Sequence, residues 1–151
     1  MNKGIWYLLR IAPISITIAH GFGRIGCLFA GCCYGKESHE WYSVYSHNAG
    51  QNVIPVQLYE AIFLFILSGV LILMLYKFKS KDEMAVYLVS YGIWRFVIEF
   101  FRDDYRGSFV GNLSPSQFWS IIMVIGGIAT FFLYRYFDKK FEDKQKEAQA
   151  Q

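Results

Sequence analysis

The sequence predicts an all-α, polytopic membrane protein, a transmembrane helical bundle of about four spans. Hydrophobic residues make up 54% of the 151 residues and charged residues 18%, below the roughly 25% charge of soluble domains. No charged residue occurs at positions 61–76 or 108–134, and such stretches approach the ~20 apolar residues that cross a bilayer core. One stretch alone could be a buried soluble helix, but a chain of this size has no core that would hide several.

The spans are bounded by local helix signals. Pro55 and Pro115 suit a first helical turn, and Ser114 is a good N-cap ahead of Pro115. Asp82 and Glu83 favour a helix start through the helix dipole. The predicted spans are about 5–29, 55–76, 84–101 and 115–136.

The lysines and arginines predict one orientation. Basic residues collect between spans two and three and after span four: Lys77, Lys79, Lys81, Arg135, Lys139, Lys140, Lys144 and Lys146. Because cytoplasmic loops carry excess Lys and Arg, both termini are predicted to be cytoplasmic, and loops 36–54 and 102–113 to face outward. Residues 1–137 then form one transmembrane domain, and 138–151 a charged cytoplasmic tail. The net charge of +3 does not indicate a nucleic-acid partner.

The first candidate motif covers residues 20–36, HGFGRIGCLFAGCCYGK. Its five glycines suit a close backbone approach, or a re-entrant or unwound segment after the first span. Arg24 offers a planar fork of donors that matches phosphate. The alternative is a small-residue packing motif in which Arg24 extends to the membrane interface.

The second candidate motif covers residues 91–102, YGIWRFVIEFFR. Tyr91, Arg95, Glu99 and Arg102 fall at helical spacing on one face. A charge at the centre of a membrane helix costs roughly 2.5–3.5 kcal/mol on insertion scales, and Glu99 can reduce that cost by neutralising Arg95. The pair is either a structural ion pair or, as we favour, a device that orients Arg95 toward an anionic ligand.

A third, weaker motif is PVQLYE at residues 55–60. Glu60 is either an interfacial carboxylate favoured by a helix N-terminus or, with Gln57 and Tyr59, the lining of a polar cavity.

The cysteines carry no recognised metal or redox pattern. Cys27, Cys32 and Cys33 lack zinc or Cys-x-x-Cys spacing, so packing as small hydrophobic residues is favoured, with pairing of Cys27 to either neighbour left open. No metal or cofactor is predicted. Residues 29–32, Phe-Ala-Gly-Cys, also resemble a lipobox, which leaves open that Cys32 is itself lipidated.

Taken in order, the three motifs resemble those of the prolipoprotein diacylglyceryl transferase family, from about residue 12 to residue 134. The resemblance implies a bacterial cell-membrane enzyme that moves the diacylglyceryl group of phosphatidylglycerol, or a similar anionic phospholipid, to a cysteine thiol of a prolipoprotein. A thioether forms and glycerol phosphate leaves. Such a reaction needs a proton acceptor for the thiol and donors for the phosphate, where negative charge grows.

The matching positions imply roles for individual residues. Arg24 and Arg95 match motif arginines and would hold the lipid phosphate. Further substrate contacts would come from Gly26, Gly35, Tyr59 and Arg102. Catalytic roles would fall to His20, Glu60 and Glu99, with His20 or Glu60 as the base and Glu99 orienting Arg95.

The sequence also departs from the family pattern. Asn is usual at the positions of Cys27 and Ala30, and Glu at that of Cys32. Typical members have a longer N-terminal part with an important histidine, whose position His20 does not share. The expectations therefore include a shortened paralogue with altered chemistry, a subunit that needs a partner, a homo-oligomer, and a non-catalytic lipid-binding protein.

Overall fold

The computed structural model describes residues 3–78, 80–102 and 114–149. Its helices are α1 (Lys3–Phe29), α2 (Val56–Leu73), α3 (Glu83–Ile98) and α4 (Pro115–Gln149). A π-helical turn, Met74–Phe78, extends α2, and a 3₁₀ turn, Glu99–Phe101, follows α3. Four candidate spans within these elements are long and apolar enough to cross a membrane. The all-α fold class and the four predicted spans are confirmed.

Contacts between helix ends show that successive helices run in opposite directions. Arg24, near the end of α1, contacts Glu60, near the start of α2. Arg95, near the end of α3, contacts both Glu60 and Ser116 at the start of α4. At the opposite end, Arg10 of α1 contacts Glu83 at the start of α3. The four helices therefore form an up-and-down bundle, and the three candidate motifs meet at one end of it.

An apolar cluster joins the first three helices. Its buried members are Ile14, Leu64, Leu67, Leu71, Tyr87 and Tyr91. Helices α3 and α4 approach closely at two glycines, as small residues permit in membrane bundles. A β-carbon on Gly92 would lie 2.8 Å from Val124, and one on Gly127 would lie 2.7 Å from Val89. Outside this core, many large apolar side chains are exposed on the surface of the bundle, which suits a lipid environment.

The chain leaves the helix after Phe29, so the predicted unwound segment is confirmed there. Gly21, Gly23 and Gly26 nevertheless remain helical, and no unwinding occurs at them. Gly21 instead permits a close approach, since a β-carbon on it would lie 2.9 Å from the Phe65 ring.

A short β-hairpin in the loop between α1 and α2 was not predicted. Strands β1 (Val44–Ser46) and β2 (Gln51–Val53) pair antiparallel. Beside them, Gly35 is bridged to Arg102 and Glu37 to Val53. These backbone pairings join the α1–α2 loop to the segment that follows α3.

Gly35 lies where three backbone segments converge. Its N–H donates to the Ile54 carbonyl at 2.8 Å. A β-carbon there would lie 2.6 Å from the Phe101 carbonyl oxygen and 2.9 Å from that of Ile54. Close backbone approach therefore accounts for glycine at this position without a lipid contact.

The Gly35→Ala substitution is expected to destabilise the protein. Both obstacles are backbone atoms, which cannot move aside cheaply, so we expect a loss of about 1–3 kcal/mol in unfolding free energy. Thermal unfolding in detergent micelles measures it. Gly23→Ala is the matched control, because nothing lies within 4 Å of its β-carbon position. Equal melting temperatures for the two variants would contradict this account of Gly35.

Candidate functional site

Glu60 is the centre of a buried polar cluster in which four side chains from α1 and α3 approach its carboxylate. Glu60 is 2% exposed. The Tyr91 hydroxyl donates to Oε1 at 3.0 Å. The Arg24 Nε lies 3.0 Å from Oε2 and the Arg95 Nη1 lies 3.7 Å from it. The His20 Nε2 lies 3.9 Å from Oε1. One carboxylate thus joins three helices.

Arg95 is also held from α4. Its Nη2 donates to the Ser116 hydroxyl at 3.1 Å and lies 3.4 Å from the Glu99 Oε2. The other Glu99 oxygen accepts from the Ser114 hydroxyl at 3.0 Å. The predicted Arg95–Glu99 pair is therefore present. The two serines extend it to the next helix, which no feature of the sequence indicated.

The start of α4 is capped as predicted. The Gln117 N–H donates to the Ser114 hydroxyl oxygen at 3.2 Å, and the Ser114 N–H donates to the Gln117 side-chain oxygen at 3.1 Å. This reciprocal arrangement satisfies donors that a helix start leaves unpaired. It also fixes the position from which Ser114 contacts Glu99.

The cluster lies a short way inside the bundle end. At 1.5 Å per residue, Arg24, Glu60 and Arg95 are about 5–8 Å from the nearest ends of α1, α2 and α3. Since these helix segments belong to the candidate spans, the cluster would lie near the boundary between lipid headgroups and acyl chains. That depth suits a group that contacts a phospholipid phosphate.

The guanidinium groups of Arg24 and Arg95 do not use all of their N–H donors in hydrogen bonds. Within the described part of the chain, neither the Arg24 Nε nor the Arg95 Nη1 has a hydrogen-bond partner of acceptable geometry, although both atoms are buried. Glu60 and Glu99 formally balance the two arginine charges. Each guanidinium carries five N–H groups. Because the Arg24 Nε and the Arg95 Nη1 both face Glu60, an anion would be bound through other N–H groups of the two arginines and not through an excess of positive charge.

Arg102 lies just beyond the helix that carries Tyr91, Arg95 and Glu99. Helix α3 ends at Ile98, and Arg102 has an extended backbone (φ −86°, ψ 150°) after the 3₁₀ turn. It is 7% exposed, and its backbone is bridged to Gly35. Tyr91, Arg95 and Glu99 meet in the cluster, as their predicted common face implies. Arg102 follows the helix, and its place on that face stays a prediction.

Tyr59 and Gly26 lie apart from the carboxylate centre. Tyr59 lines an apolar cavity of ≈ 250 Å³ with Trp94, Phe101 and other side chains. Gly26 is exposed, and nothing lies within 4 Å of a β-carbon placed on it. In the part of the chain described by the structure, no packing constraint therefore requires glycine at position 26.

Comparison with known proteins matches almost the whole chain to one family. The family described as Prolipoprotein diacylglyceryl transferase matches residues 2–133. The chain belongs to the prolipoprotein diacylglyceryl transferase family. Membership confirms the resemblance of the three motifs, and together with the four spans it identifies a bacterial membrane protein.

Relatives within the family come from several bacteria. The chain is 42% identical over 140 residues to phosphatidylglycerol–prolipoprotein diacylglyceryl transferase 2 of Clostridium perfringens, covering 85% of this chain and 54% of the relative. It is 39% identical over 144 residues to the Clostridium tetani enzyme of that name, covering 89% and 57%. It is 36% identical over 139 residues to that of Campylobacter curvus, covering 89% and 50%. The chain thus spans about half the length of these family members.

Proposed function

We propose that the protein is a membrane transferase. It moves a diacylglyceryl group from phosphatidylglycerol, or a similar anionic phospholipid, to the cysteine thiol of a prolipoprotein or related acceptor. The observation that carries this proposal is the Arg24–Glu60–Arg95 cluster. It presents two largely buried guanidinium groups near one end of the bundle. The names of the relatives supply the two substrates.

The reaction exchanges one bond for another at the glycerol carbon of the donor. The bond from that carbon to the phosphate oxygen breaks, a carbon–sulfur bond forms, and the thiol proton passes to a base. Glycerol phosphate leaves with the bonding electrons. Negative charge grows on the phosphate as it departs, so N–H groups fixed by Glu60 and Glu99 would stabilise the transition state more than the bound substrate.

The geometry favours His20 over the two carboxylates as the base. Oxygens of Glu60 and Glu99 face Tyr91, Ser114 and the two arginines. Both carboxylates are ion-paired with arginines and therefore act as positioning residues. His20 packs edge-on against Tyr91, with ring centroids 5.1 Å apart, and is partly exposed. It combines access to an incoming thiol with proximity to the arginines.

The apolar cavity beside Tyr59 suits the hydrocarbon part of the donor. Its lining is formed largely by aromatic and aliphatic side chains from the loop, α2 and α3. Tyr59 and Trp94 directly precede Glu60 and Arg95 in the sequence. A lipid whose phosphate contacts the arginines therefore has apolar surface within reach for its glycerol or acyl portion.

The predicted orientation places this end of the bundle at the outer leaflet, with both termini in the cytoplasm. The lysines between α2 and α3 and the basic residues after α4 support it, since cytoplasmic loops carry excess positive charge. The cluster would then face the compartment in which exported prolipoproteins present their cysteine.

The test combines the purified full chain with phosphatidylglycerol and a lipobox peptide. We expect glycerol phosphate release and a peptide mass gain equal to one diacylglyceryl group. Arg95→Ala should abolish both. Arg135→Ala is the matched control, because this arginine is 67% exposed and pairs with Asp82 near the opposite bundle end. If the wild type released no glycerol phosphate and the peptide gained no mass, the proposal would be contradicted for this substrate pair.

A second candidate is a non-catalytic lipid-binding protein or subunit. The ion pairing of both carboxylates with arginines favours it, since such a cluster can hold a phosphate without moving a proton. It predicts lipid retention that depends on Arg24 and Arg95 without turnover. Turnover of donor lipid by the wild type would contradict it.

A further inference from the structure

Three cysteine thiols meet at the end of α1. Cys27 lies in the last turn of the helix, and Cys32 and Cys33 lie in the segment that follows it. All three are free, and their sulfur atoms lie within 4.8 Å of one another. The linear spacing predicted no metal site, so this convergence is a product of the fold.

An unusual backbone brings the thiols together. Successive residues of an extended chain project to opposite sides, which would separate Cys32 from Cys33. Here Gly31 and Cys33 both adopt left-handed conformations, with φ of 63° and 62°. The Cys32 N–H donates back to the Cys27 carbonyl at 3.1 Å. Left-handed φ is uncommon for a residue with a β-carbon, so the turn is specifically constrained.

Side chains from distant parts of the sequence hold this turn. The Asn48 amide nitrogen donates to the carbonyls of Ala30, at 3.1 Å, and Gly31, at 2.9 Å. The Gln57 amide nitrogen, from α2, donates to the Cys32 carbonyl. These hydrogen bonds hold the backbone that carries the thiols before any ligand arrives, and this reduces the ordering cost of binding one.

We propose that Cys27, Cys32 and Cys33 form a three-thiolate binding site for one thiophilic metal ion of the Zn²⁺ class. Thiolates are the ligands that such soft or borderline ions select. Bonds of about 2.3 Å place the three sulfurs about 3.8 Å apart around a tetrahedral ion. Sulfurs already within 4.8 Å need only a small inward movement. Cys32 is exposed, so an ion can enter and retain an open fourth position.

The charge and number of the thiols favour a metal over a disulfide. A disulfide would use two sulfurs, at about 2.05 Å, and leave the third unused. A divalent ion would bind all three thiolates and reduce their combined charge from three negative charges to one. Only deprotonated thiols bind the ion, so binding should release protons and tighten as pH rises.

The test titrates the reduced, metal-free full chain in detergent micelles with Zn²⁺, and with Co²⁺ as a spectroscopic substitute. We expect saturable binding of one ion per chain, a thiolate-to-cobalt charge-transfer band, and protection of all three thiols from iodoacetamide by Zn²⁺. Cys33→Gly is the informative variant. Glycine accepts the left-handed backbone at this position without strain, so the turn persists while one ligand is lost. Affinity should fall more than about 100-fold, beyond what loss of an outer partner causes.

His47→Ala is the control. His47 is a possible metal ligand in the nearby hairpin turn, but it does not belong to the thiol cluster. It should bind Zn²⁺ like the wild type. Wild-type affinity in Cys33→Gly would overturn the proposal, as would loss of binding in His47→Ala. Full alkylation of the thiols in the presence of excess Zn²⁺, or an intrachain disulfide in protein incubated with Zn²⁺, would overturn it as well.

Discussion

Replacing Glu60 with alanine is expected to destabilise the protein and abolish lipid binding together. The substitution leaves Arg24 and Arg95 without the buried carboxylate that lies 3.0 Å and 3.7 Å from them. Breaking a buried ion pair from one side typically costs about 3–5 kcal/mol, because the remaining charge is uncompensated. The Tyr91 hydroxyl loses its acceptor in the same change. Unfolding in detergent and retention of anionic phospholipid measure the two effects.

Two controls test whether these effects arise because Glu60 is the shared ion-pair partner of two arginines, and not from a general sensitivity to charge removal. Glu37→Ala removes a carboxylate whose side chain is 51% exposed, and it should change stability by less than about 0.5 kcal/mol. A quadruple variant in which Arg24, Glu60, Arg95 and Glu99 all become glutamine should recover much of the stability, because no charge of the cluster is left buried and unpaired. It should still bind no anionic lipid. Wild-type stability in Glu60→Ala would contradict the role of Glu60 as the shared ion-pair partner of both arginines.

Replacing His20 with alanine is expected to lower turnover by about 10²–10⁴-fold, the range for loss of a general base, while lipid retention persists. His20 contacts Tyr91 through its ring, and its Nε2 lies 3.9 Å from the Glu60 Oε1, so neither arginine depends on it for position. Initial rates of glycerol phosphate release, measured across pH, test this prediction. The pH profile of the wild type should lose one titrating group in the variant.

His20→Gln is the companion variant, since it retains polarity and approximate size but cannot accept the proton at a useful pKa. It should be as slow as His20→Ala. If either variant kept wild-type turnover, the base would have to be another group. If both variants lost lipid along with turnover, His20 would be a structural part of the phosphate site.

Features set by local spacing were predictable from the sequence. The four spans follow from long apolar runs, and the Ser114 cap follows from its place before Pro115. The Arg95–Glu99 pair follows from the i,i+4 geometry of a helix. Each involves residues within one element, where the helical period alone fixes the distance between side chains.

Features set by contacts across the fold were not predictable in the same way. Glu60 meets Tyr91 across 31 positions, and nothing local marks it as the shared partner of two arginines. Arg102 pairs with Gly35 through a backbone bridge that spacing along the helix does not indicate. The thiols converge because Cys33 adopts a left-handed backbone stabilised from elsewhere. Tertiary structure overrides spacing in each case.

The central claim is that Arg24 and Arg95, held around Glu60, bind the phosphate of an anionic phospholipid. Native mass spectrometry of lipid retained by the wild type, Arg24→Ala, Arg95→Ala and Arg135→Ala tests it most directly. Hydrogen bonds to charged groups contribute about 1.5–3 kcal/mol, so each cluster variant should bind phosphatidylglycerol roughly 10–100-fold more weakly. The wild type and the exposed Arg135→Ala control should retain it equally. Undiminished phosphatidylglycerol on both cluster variants would contradict the claim.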